Sequence, residues 1–507
     1  MTATAGRAGI EIGASPLDPA QLMAIADGAA VDLGAGLDDR LAPAAALVAR
    51  MAQAEAPVYG VNTGFGALAD TRVPPEEVRE LQHSLLRSHA AGAGAPLPRR
   101  LVRAMLAIRL STVARGNSGV RPEVARRIAE MLNRDLVPVV PEIGSLGASG
   151  DLAQLAHTFL PLIGEGAYLD GGDGADLAPL SLGPKEGLAL TNGTDAMLAA
   201  GVLAAADVAV LVSTADVVAA LSVEALLGTD RPFAERVHAL RPHPGQLASA
   251  ANLRRLLAGS EVVASHRESH HAVQDAYSLR CTPQVHGACR DLAGWASAVF
   301  ERELASTIDN PLVFVDTEEV VSGGNFHGEP LAFAHDSMAI ALAEVGSISE
   351  RRVNRLLDAS LSRGLPAFLS RHSGLNSGLM LAQYTSAALV TELRLLAQPA
   401  SIHSISTSAE QEDHVSMGWT AARQTMAAVE HCARVLGIEL MAACQGLELR
   451  APLRPGPAGG AVLALVRRSV PTLERDRALD GDIAECARLV RGGDVLAAAR
   501  GAVGDIA

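Results

Sequence analysis

The segment Gly144–Leu152 contains the residue types needed to build an electrophile from the polypeptide backbone. It reads Gly-Ser-Leu-Gly-Ala-Ser-Gly-Asp-Leu and follows a short apolar run that ends in proline. Because Gly150 has no side chain beside its nitrogen, a tight turn can bring that nitrogen to the Ala148 carbonyl. Ring closure there, with loss of water from Ser149, would give a methylidene-imidazolone with an electrophilic carbon. A helix opening at Asp151 would place its positive end where negative charge develops.

Motifs along most of the chain accompany this segment, and together they resemble those of the aromatic amino acid ammonia-lyases. The resemblance runs from about Pro57 to Pro452 and is greatest to the members that act on histidine. Besides Gly144–Leu152, it rests on Tyr59–Gly66 (YGVNTGFG), Asn192–Thr194 (NGT), Gln274–Arg280 (QDAYSLR), Ser322–Pro330 (SGGNFHGEP) and Gln411–Met417 (QEDHVSM). These motifs occur in the family's order, which makes a chance match negligible.

The resemblance implies a cofactor, an assembly and a substrate class. The cofactor is 4-methylidene-imidazol-5-one (MIO), formed autocatalytically from Ala148-Ser149-Gly150, with no metal and no nucleotide. The assembly is a homotetramer whose active sites each draw residues from three subunits. A small aromatic amino acid is the expected substrate, and neither nucleic acid nor a membrane is an expected partner.

Tyr59 and Arg280 match the family residues that act on the substrate's proton and carboxylate. Removal of ammonia requires a base for an unactivated β-proton and an electron sink for a poor leaving group. Tyr59 matches the tyrosine that is assigned as this base. We expect positive potential from the cofactor loop and from Arg280 to lower the pKa of the Tyr59 phenol. Arg280 matches the residue that binds the carboxylate, a role suited to its planar guanidinium.

Other residues match the walls of the family's active site. Tyr277 and Asn192 match residues that contact the substrate and hold the cofactor's oxygen. Phe326 matches an aromatic residue that packs against the cofactor. Gln274 and Asn310 match polar wall positions, although ordinary backbone hydrogen bonding is an alternative role for both.

Two positions indicate which amino acid the site accepts. Ser88 and His89 occupy a pair that reads Ser-His in lyases acting on histidine, His-Leu in those acting on tyrosine and Phe-Leu in those acting on phenylalanine. A neutral imidazole has one hydrogen-bond donor and one acceptor, and His89 together with Glu412 would satisfy both. A phenyl ring would leave these groups unpaired. The pattern therefore favours L-histidine, with trans-urocanate and ammonia as products.

Several departures from the usual pattern keep other substrates open. They are Ala276, Thr282, His403, Glu410 (usually Asn), Gln154 (usually Pro) and Trp419. The alternatives are a tyrosine or phenylalanine ammonia-lyase and an aromatic 2,3-aminomutase with the same cofactor. A further alternative is an inactive helical oligomer with a binding or structural role, which would not need Tyr59, Ser149 and Arg280 together.

Helical periodicity dominates the elements that must position these residues. Apolar residues recur at helical spacing in Leu101–Ile108 and after Pro122, and Asp195 is well placed to cap a long helix. Further helical patterns cover about Met338–Leu357, Leu379–Leu396, Thr420–Ala443 and Gly460–Val470, while Leu136–Val140 and Leu312–Val315 resemble strands. We therefore predict a mainly α fold of the ammonia-lyase and fumarase type. Residues 1–195 form a mixed head with the tyrosine and cofactor loops, and residues 196–507 a body of long helices.

Composition excludes several other classes of protein. The 507 residues include 49% hydrophobic and 19% charged residues, and the formal net charge of −14 argues against nucleic-acid binding. The five cysteines form no Cys-x-x-Cys pair, and no basic segment followed by an apolar core begins the chain. These features predict a cytoplasmic protein with reduced thiols.

Two features that imitate other functions are set aside. Residues 196–215 are apolar enough to suggest a membrane span, but they are mostly alanine and include Asp207, as expected of a helix inside a bundle. His266, His270 and His271 lie close together without a third ligand at a familiar spacing, so a solvated helix face is favoured over a metal site.

Overall fold

The computed structural model describes residues 9–171, 177–268 and 273–507, and its fold is mainly α-helical, as the sequence predicts. The helices are α1 (Pro19–Ala26), α2 (Leu37–Ala52), α3 (Val78–His89), α4 (Arg99–Ala114), α5 (Pro122–Asn133), α6 (Leu152–Phe159), α7 (Glu186–Thr191), α8 (Asp195–Ala225), α9 (Glu235–His238), α10 (Pro244–Leu256), α11 (Glu261–Ala264), α12 (Tyr277–Arg280), α13 (Thr282–Leu304), α14 (Glu329–Leu357), α15 (Met380–Leu396), α16 (Gly418–Glu448), α17 (Pro457–Val466), α18 (Asp480–Arg491) and α19 (Asp494–Val503).

The strands are short and pair two by two. They are β1 (Ile10–Ile12), parallel to β2 (Val31–Leu33); β3 (Ala93–Pro96), antiparallel to β4 (Pro141–Ile143); and β5 (Leu312–Phe314), antiparallel to β6 (Glu319–Val321). The β3–β4 pair matters most for function, because β4 leads directly into Gly144–Leu152.

The chain divides into two compact units. The first comprises Met1–Leu203, Ser297–His335 and Pro399–Arg423, and the second comprises Ala204–Ala296, Asp336–Gln398 and Gln424–Ala507. Strands β1–β6 all belong to the first unit. The sequence-based division into residues 1–195 and 196–507 stays a prediction.

Helix α4 shows how the first unit is packed. The spacing of Leu101, Met105 and Ile108 predicts this helix, and α4 is buried along almost its whole length. Two of its arginines, Arg103 and Arg109, are buried as well, and Arg103 donates to the Ile25 and Leu132 carbonyls, at 3.0 Å each. Buried polar groups of this kind are tolerated because they are hydrogen-bonded.

One strand prediction was wrong. Leu136–Val140 forms only an isolated bridge at Pro138, and the regular strand is the following segment, β4. Pro138 has no backbone N–H, so a continuous ladder cannot run through it. Its neighbours make separate bonds instead, with the Val139 nitrogen donating to the Ala167 carbonyl at 2.8 Å. The other strand prediction is confirmed by β5.

Among the described residues, α8 and α14 are long and apolar enough to cross a membrane by length and composition. Their most apolar windows have mean hydropathies of 2.1 and 1.2, and 67% and 72% of those windows are buried within the protein. The core helix of a helical bundle passes the same test, because its surroundings are also apolar. The expectation that no membrane is a partner stays a prediction.

The cysteine and histidine side chains of the described residues form neither a disulfide nor a cluster that could hold a metal ion. The five cysteines are free thiols, and all but Cys281 are buried. Within the described ranges, no three His, Cys, Asp or Glu side chains are grouped so as to hold a metal ion. His266 is hydrogen-bonded to the Gly228 carbonyl at 2.9 Å, while His270 and His271 lie outside the described residues.

Candidate active site

The loop that carries Tyr59 is fixed by packing and by an internal hydrogen-bond network. Val61 packs in a buried cluster that includes Leu47 of α2 and Val313 of β5. The Asn62 side chain accepts from the Val58 nitrogen at 2.7 Å and donates to nearby backbone carbonyls. The Tyr59 hydroxyl accepts from the Gly66 nitrogen at 3.4 Å. The loop therefore holds the phenol at a defined position.

The tripeptide Ala148-Ser149-Gly150 lies in a turn that admits only glycine at its third position. Gly150 has a φ of +79°, and a Cβ there would lie 2.1 Å from the Gly193 carbonyl oxygen. The Asp151 nitrogen donates to that carbonyl at 2.7 Å, so the end of the turn is tied to Gly193. Absence of a side chain at Gly150 is thus a steric requirement of the fold.

Asp151 joins this turn to the start of α8. Its Oδ2 accepts from the nitrogens of Ala196 and Met197, at 2.9 Å each, and Ser145 donates to its Oδ1 at 3.0 Å. The sequence-based expectation that Asp195 caps α8 was wrong, because the carboxylate that receives the free amides comes from Asp151. Burial raises the pKa of the Asp151 carboxyl to about 7.

Asn192 lies next to Gly193 and is held in place from both sides. Its Nδ2 donates to the Asn310 carbonyl at 2.8 Å, and its Oδ1 is buried without a hydrogen-bond partner among the described residues. Arg109 donates to the Asn192 carbonyl at 3.3 Å and forms a buried ion pair with Asp195. A fixed but unsatisfied polar atom beside the tripeptide is typical of a group that awaits a partner.

The Tyr59 loop and the tripeptide, together with residues 310–327 and 411–414, line a cavity of about 380 Å³ in the first unit. The lining residues are Tyr59, Gly66, Ala69, Ala148, Ser149, Asn310, Ser322, Gly323, Phe326, His327, Gln411, Glu412, Asp413 and His414. Of the residues predicted from the sequence, the structure brings Tyr59, Ala148, Ser149, Asn310, Phe326 and Glu412 together here. A cavity of this size suits a single amino acid.

Glu412 is the cavity carboxylate that contacts the tripeptide. The Ser149 hydroxyl donates to its Oε1 at 3.5 Å, and the Thr407 hydroxyl donates to its Oε2 at 3.2 Å. His89 is half-buried, and its Nδ1 is 3.0 Å from the Ser88 hydroxyl. Burial lowers the pKa of His89, while the charge of Glu412 acts in the opposite direction. A neutral imidazole near a carboxylate is what the sequence-based receptor for histidine requires.

The shift expected for the Tyr59 pKa was wrong in direction, because in the single chain this pKa is raised. Burial raises the pKa of the Tyr59 phenol, the Gly66 amide opposes this rise, and the Glu412 charge adds to it. The lowering that the sequence analysis anticipated depended partly on Arg280, which belongs to the second unit. Desolvation disfavours the phenolate. Among the described residues that line the cavity, no Lys or Arg offsets this effect.

Gln274, Tyr277 and Arg280 belong to the second unit, whereas the cavity is lined by the first unit alone. Tyr277 is 71% exposed, and the Arg280 guanidinium carbon is 4.6 Å from the centroid of its ring, a cation–π contact. Tyr277 and Arg280 are the first and last residues of helix α12. Gln274 is exposed.

The structure adds two cavity residues to which the sequence analysis gave no role. The rings of His327 and His414 stack with centroids 5.8 Å apart, and the His327 Nε2 donates to the His414 carbonyl at 3.2 Å. Ser404 contacts the His414 Nδ1 at 3.0 Å. Both histidines stand inside recognised motifs, beside Phe326 and Glu412, so proximity in sequence was the available signal.

Two of the unusual residues brace the segment that leads into the Ala148-Ser149-Gly150 turn, and a third has an unusual backbone conformation. The buried Trp419 donates from its indole nitrogen to the Glu142 carbonyl of β4 at 2.6 Å. Gln154 donates to the Pro141 carbonyl at 3.4 Å. Glu410 has a φ of +68°, a conformation that the usual Asn adopts more readily than Glu. These departures therefore alter supports of the site and leave the tripeptide itself unchanged.

Known proteins resemble this chain over nearly its whole length. The family model described as aromatic amino acid lyase matches residues 17–468. A histidine ammonia-lyase of Streptomyces avermitilis is 49% identical, covering 98% of this chain and 99% of its own. A histidine ammonia-lyase structure from Trypanosoma cruzi has a TM-score of 0.88 and 41% identity, covering 97% of this chain and 95% of its own. A tyrosine aminomutase structure from Streptomyces globisporus has a TM-score of 0.91 and 38% identity, covering 99% and 100%.

These matches confirm the resemblance inferred from the motifs. They agree with a cavity in which a tyrosine, a carboxylate and an Ala-Ser-Gly turn meet. The chain is therefore a carbon–nitrogen lyase and belongs to the aromatic amino acid lyase family.

Proposed function

We propose that this lyase eliminates ammonia from L-histidine to give trans-urocanate. The observation that carries the proposal is the position of Glu412, which lines the cavity and accepts from the Ser149 hydroxyl of the tripeptide. The charge of Glu412 also acts on the half-buried His89. This arrangement offers an imidazole one group of each hydrogen-bonding kind. Relatives named histidine ammonia-lyase at 49–51% identity support the same substrate.

The residues of the turn fit the MIO group. Gly150 has the positive φ and the side-chain-free nitrogen that ring closure on Ala148 needs. Beside it, Asn192 offers a buried oxygen that has no hydrogen-bond partner among the described residues. Once formed, the group supplies an electron sink for the substrate amine. Asp151 and Ser145 hold the turn in place, and no metal or nucleotide is part of the proposal.

The other residues bind the substrate and move its proton. Glu412 and His89 hold the imidazole, which orients the β-carbon within the cavity. Tyr59 accepts the β-proton at its phenolic oxygen, and the Gly66 amide stabilises the phenolate that this role requires. Phe326 and Asn310 form an apolar and a polar wall.

We further propose that the site is completed by other copies of the chain, in a homotetramer. Gln274, Tyr277 and Arg280 would enter the cavity of another subunit, where Arg280 would bind the carboxylate. The exposed Tyr277 ring, which the Arg280 guanidinium contacts, is consistent with a contact made on assembly. We expect the assembled enzyme in the cytoplasm, in keeping with its five free thiols.

The test is incubation of the purified protein with histidine, tyrosine and phenylalanine separately. Ultraviolet absorbance would report the conjugated acid, and chiral analysis would report any β-amino acid. We expect urocanate and one equivalent of ammonia from histidine, and little turnover of the other two. Release of a β-amino acid would instead identify an aminomutase. An intact native mass without loss of two waters would contradict the cofactor assignment.

A further inference from the structure

The turn from Thr407 to Glu412 has an unusual backbone. Its ends are joined by two hydrogen bonds, from the Thr407 nitrogen to the Glu412 carbonyl at 2.9 Å and in reverse at 3.3 Å. Between them Ser408, Ala409 and Glu410 have φ values of 53°, 51° and 68°. Side chains other than glycine rarely adopt this conformation, and consecutive examples are rarer still. Such backbone persists only where the surroundings hold it, and it clusters at functional sites.

Two hydroxyl groups of this turn reach two different parts of the cavity. The Thr407 hydroxyl donates to the Glu412 Oε2 at 3.2 Å. The Ser408 hydroxyl accepts from the Ala67 nitrogen at 3.3 Å, in the loop that begins at Tyr59. The contact is close, because a Cβ on the preceding residue of that loop, Gly66, would lie 2.6 Å from the Ser408 oxygen.

We propose that the Thr407–Glu412 turn positions the imidazole-binding carboxylate and the base loop together, with Thr407 orienting Glu412 and Ser408 holding the loop of Tyr59. The proposal rests on the proposed function, since it assigns tasks relative to Glu412 and Tyr59. Thr407 and Ser408 act through other side chains and are positioning residues. The turn thus links the group that selects the substrate to the group that takes its proton.

The contact at Ser408 has a consequence for the Tyr59 phenol. Ser408 fixes Ala67, and Ala67 follows Gly66, whose amide donates to the phenolic oxygen at 3.4 Å. That amide opposes the rise in the Tyr59 pKa that burial causes. The titratable groups sharing the cavity lining with the phenol are Glu412, Asp413, His327 and His414. Of these, Glu412 acts on the phenol directly, by raising its pKa.

The first arm of the test compares Thr407→Val, which removes the hydroxyl at nearly constant shape, with Thr407→Ser, which restores it. For Thr407→Val we expect kcat/KM on histidine to fall about tenfold, mainly through KM, as for loss of a hydrogen bond to a charged group. Turnover of phenylalanine should change less than about twofold, because a phenyl ring does not use Glu412. Thr407→Ser should recover most of the loss. Equal losses on both substrates would overturn the role of Thr407.

The second arm compares Ser408→Ala with Ser406→Ala. Ser406 lies just before the turn and donates to the exposed Glu410 at 2.9 Å, so the same change there is a matched control. For Ser408→Ala we expect kcat to fall about tenfold. The limb of the pH profile that requires deprotonated Tyr59 should move to higher pH, because the Gly66 amide that opposes the rise in the Tyr59 pKa is no longer held in place. Ser406→Ala should match the parent enzyme. A loss without a shift of the limb, or an equal loss in both variants, would overturn the role of Ser408.

Two measurements separate these outcomes from failure of the proposed function. Intact mass should show the loss of two waters in every variant, which confirms that the cofactor turn has matured. If the parent enzyme does not turn over histidine, the proposed function fails, and with it the assignment of Thr407. The Ser408 arm then proceeds with whichever aromatic amino acid the parent enzyme deaminates, so its result still supports or overturns the contact with the Tyr59 loop.

Discussion

At the scale of single residues, Ser149 has two distinct relations to its surroundings. It is the middle residue of the proposed ring, and its hydroxyl also donates to Glu412 at 3.5 Å. Dehydration would remove that hydroxyl and with it this hydrogen bond. Glu412 would then retain Thr407 as its donor and be free to accept from a substrate imidazole.

The first prediction concerns Ser149→Ala. We expect it to lower turnover by more than about a thousandfold, because the electron sink cannot form, while the oligomer stays folded. Deamination assays with size-exclusion chromatography provide the check, and the variant should keep the mass of its unmodified sequence. Near-parental turnover would refute the cofactor assignment.

The second prediction concerns Glu412→Gln. An amide has the shape of the carboxylate but only one strong acceptor, so binding of the imidazole should weaken. We expect kcat/KM to fall about ten- to hundredfold on histidine and much less on phenylalanine. Steady-state kinetics on both substrates measure the ratio. Equal losses would mean that Glu412 does not recognise the imidazole.

Among the secondary-structure elements, Asp151 connects the Ala148-Ser149-Gly150 turn to α8. Its carboxyl is fully buried and accepts the first two free amides of that helix. The positive end of α8 is thereby directed at the residue that follows Gly150. Asp195, which begins the same helix, is engaged by Arg109 instead. A change at Asp151 therefore affects both the helix start and the turn.

The third prediction is a pH dependence of stability. With its pKa raised to about 7 from an ordinary value of 3.8, Asp151 binds a proton in the folded state that the unfolded state has lost between those pH values. Its contribution therefore falls as pH rises from about 4 to 7, at up to about 1.4 kcal/mol per pH unit. Asp151→Asn should remove this slope.

Thermal unfolding between pH 4 and 8 provides the measurement. Glu55→Gln, at an exposed carboxylate outside the site, is the matched control and should keep the parental slope. If the stability of Asp151→Asn follows pH as the parent does, the buried carboxyl is not the titrating group.

In the whole chain, the residues proposed for the site are divided between the two compact units. Tyr59 and Glu412 line the cavity of the first unit, whereas Tyr277 and Arg280 form α12 in the second. The proposed assembly explains this division, because a neighbouring subunit would supply the second set. In closed homo-oligomers, symmetry repeats the same contact between subunits, so each site would be completed in the same way.

The fourth prediction is complementation between inactive subunits. Tyr59→Phe and Arg280→Met should each be nearly inactive alone. The two variants are unfolded and refolded together in equal amounts. If one subunit supplies Tyr59 and another supplies Arg280, roughly a quarter of the sites contain both native residues, so activity should return to about a quarter of the parental value. Mixing without subunit exchange is the control. Absence of any recovery in verified mixed oligomers would place both residues in one chain's site.

Short-range patterns in the sequence were enough to predict the proposed ring-forming turn and most of the helices. Ring closure in Ala148-Ser149-Gly150 would involve only three neighbouring residues. Helices such as α4 and α5 follow from local periodicity and from Pro122 in a first turn. The motifs around Tyr59 and Glu412 were also visible, because each is a short contiguous segment. All of these signals act over a few residues of chain.

How those segments act on one another depends on contacts that the folded chain makes between distant residues. It placed the strand at β4 rather than at Leu136–Val140, gave the cap of α8 to Asp151 and raised the pKa of Tyr59 instead of lowering it. It also brought Ser408 to the loop of Tyr59, across more than 300 residues of chain. Hydrogen-bond partners and burial are set by contacts between distant segments, and desolvation then fixes which protonation state is favoured.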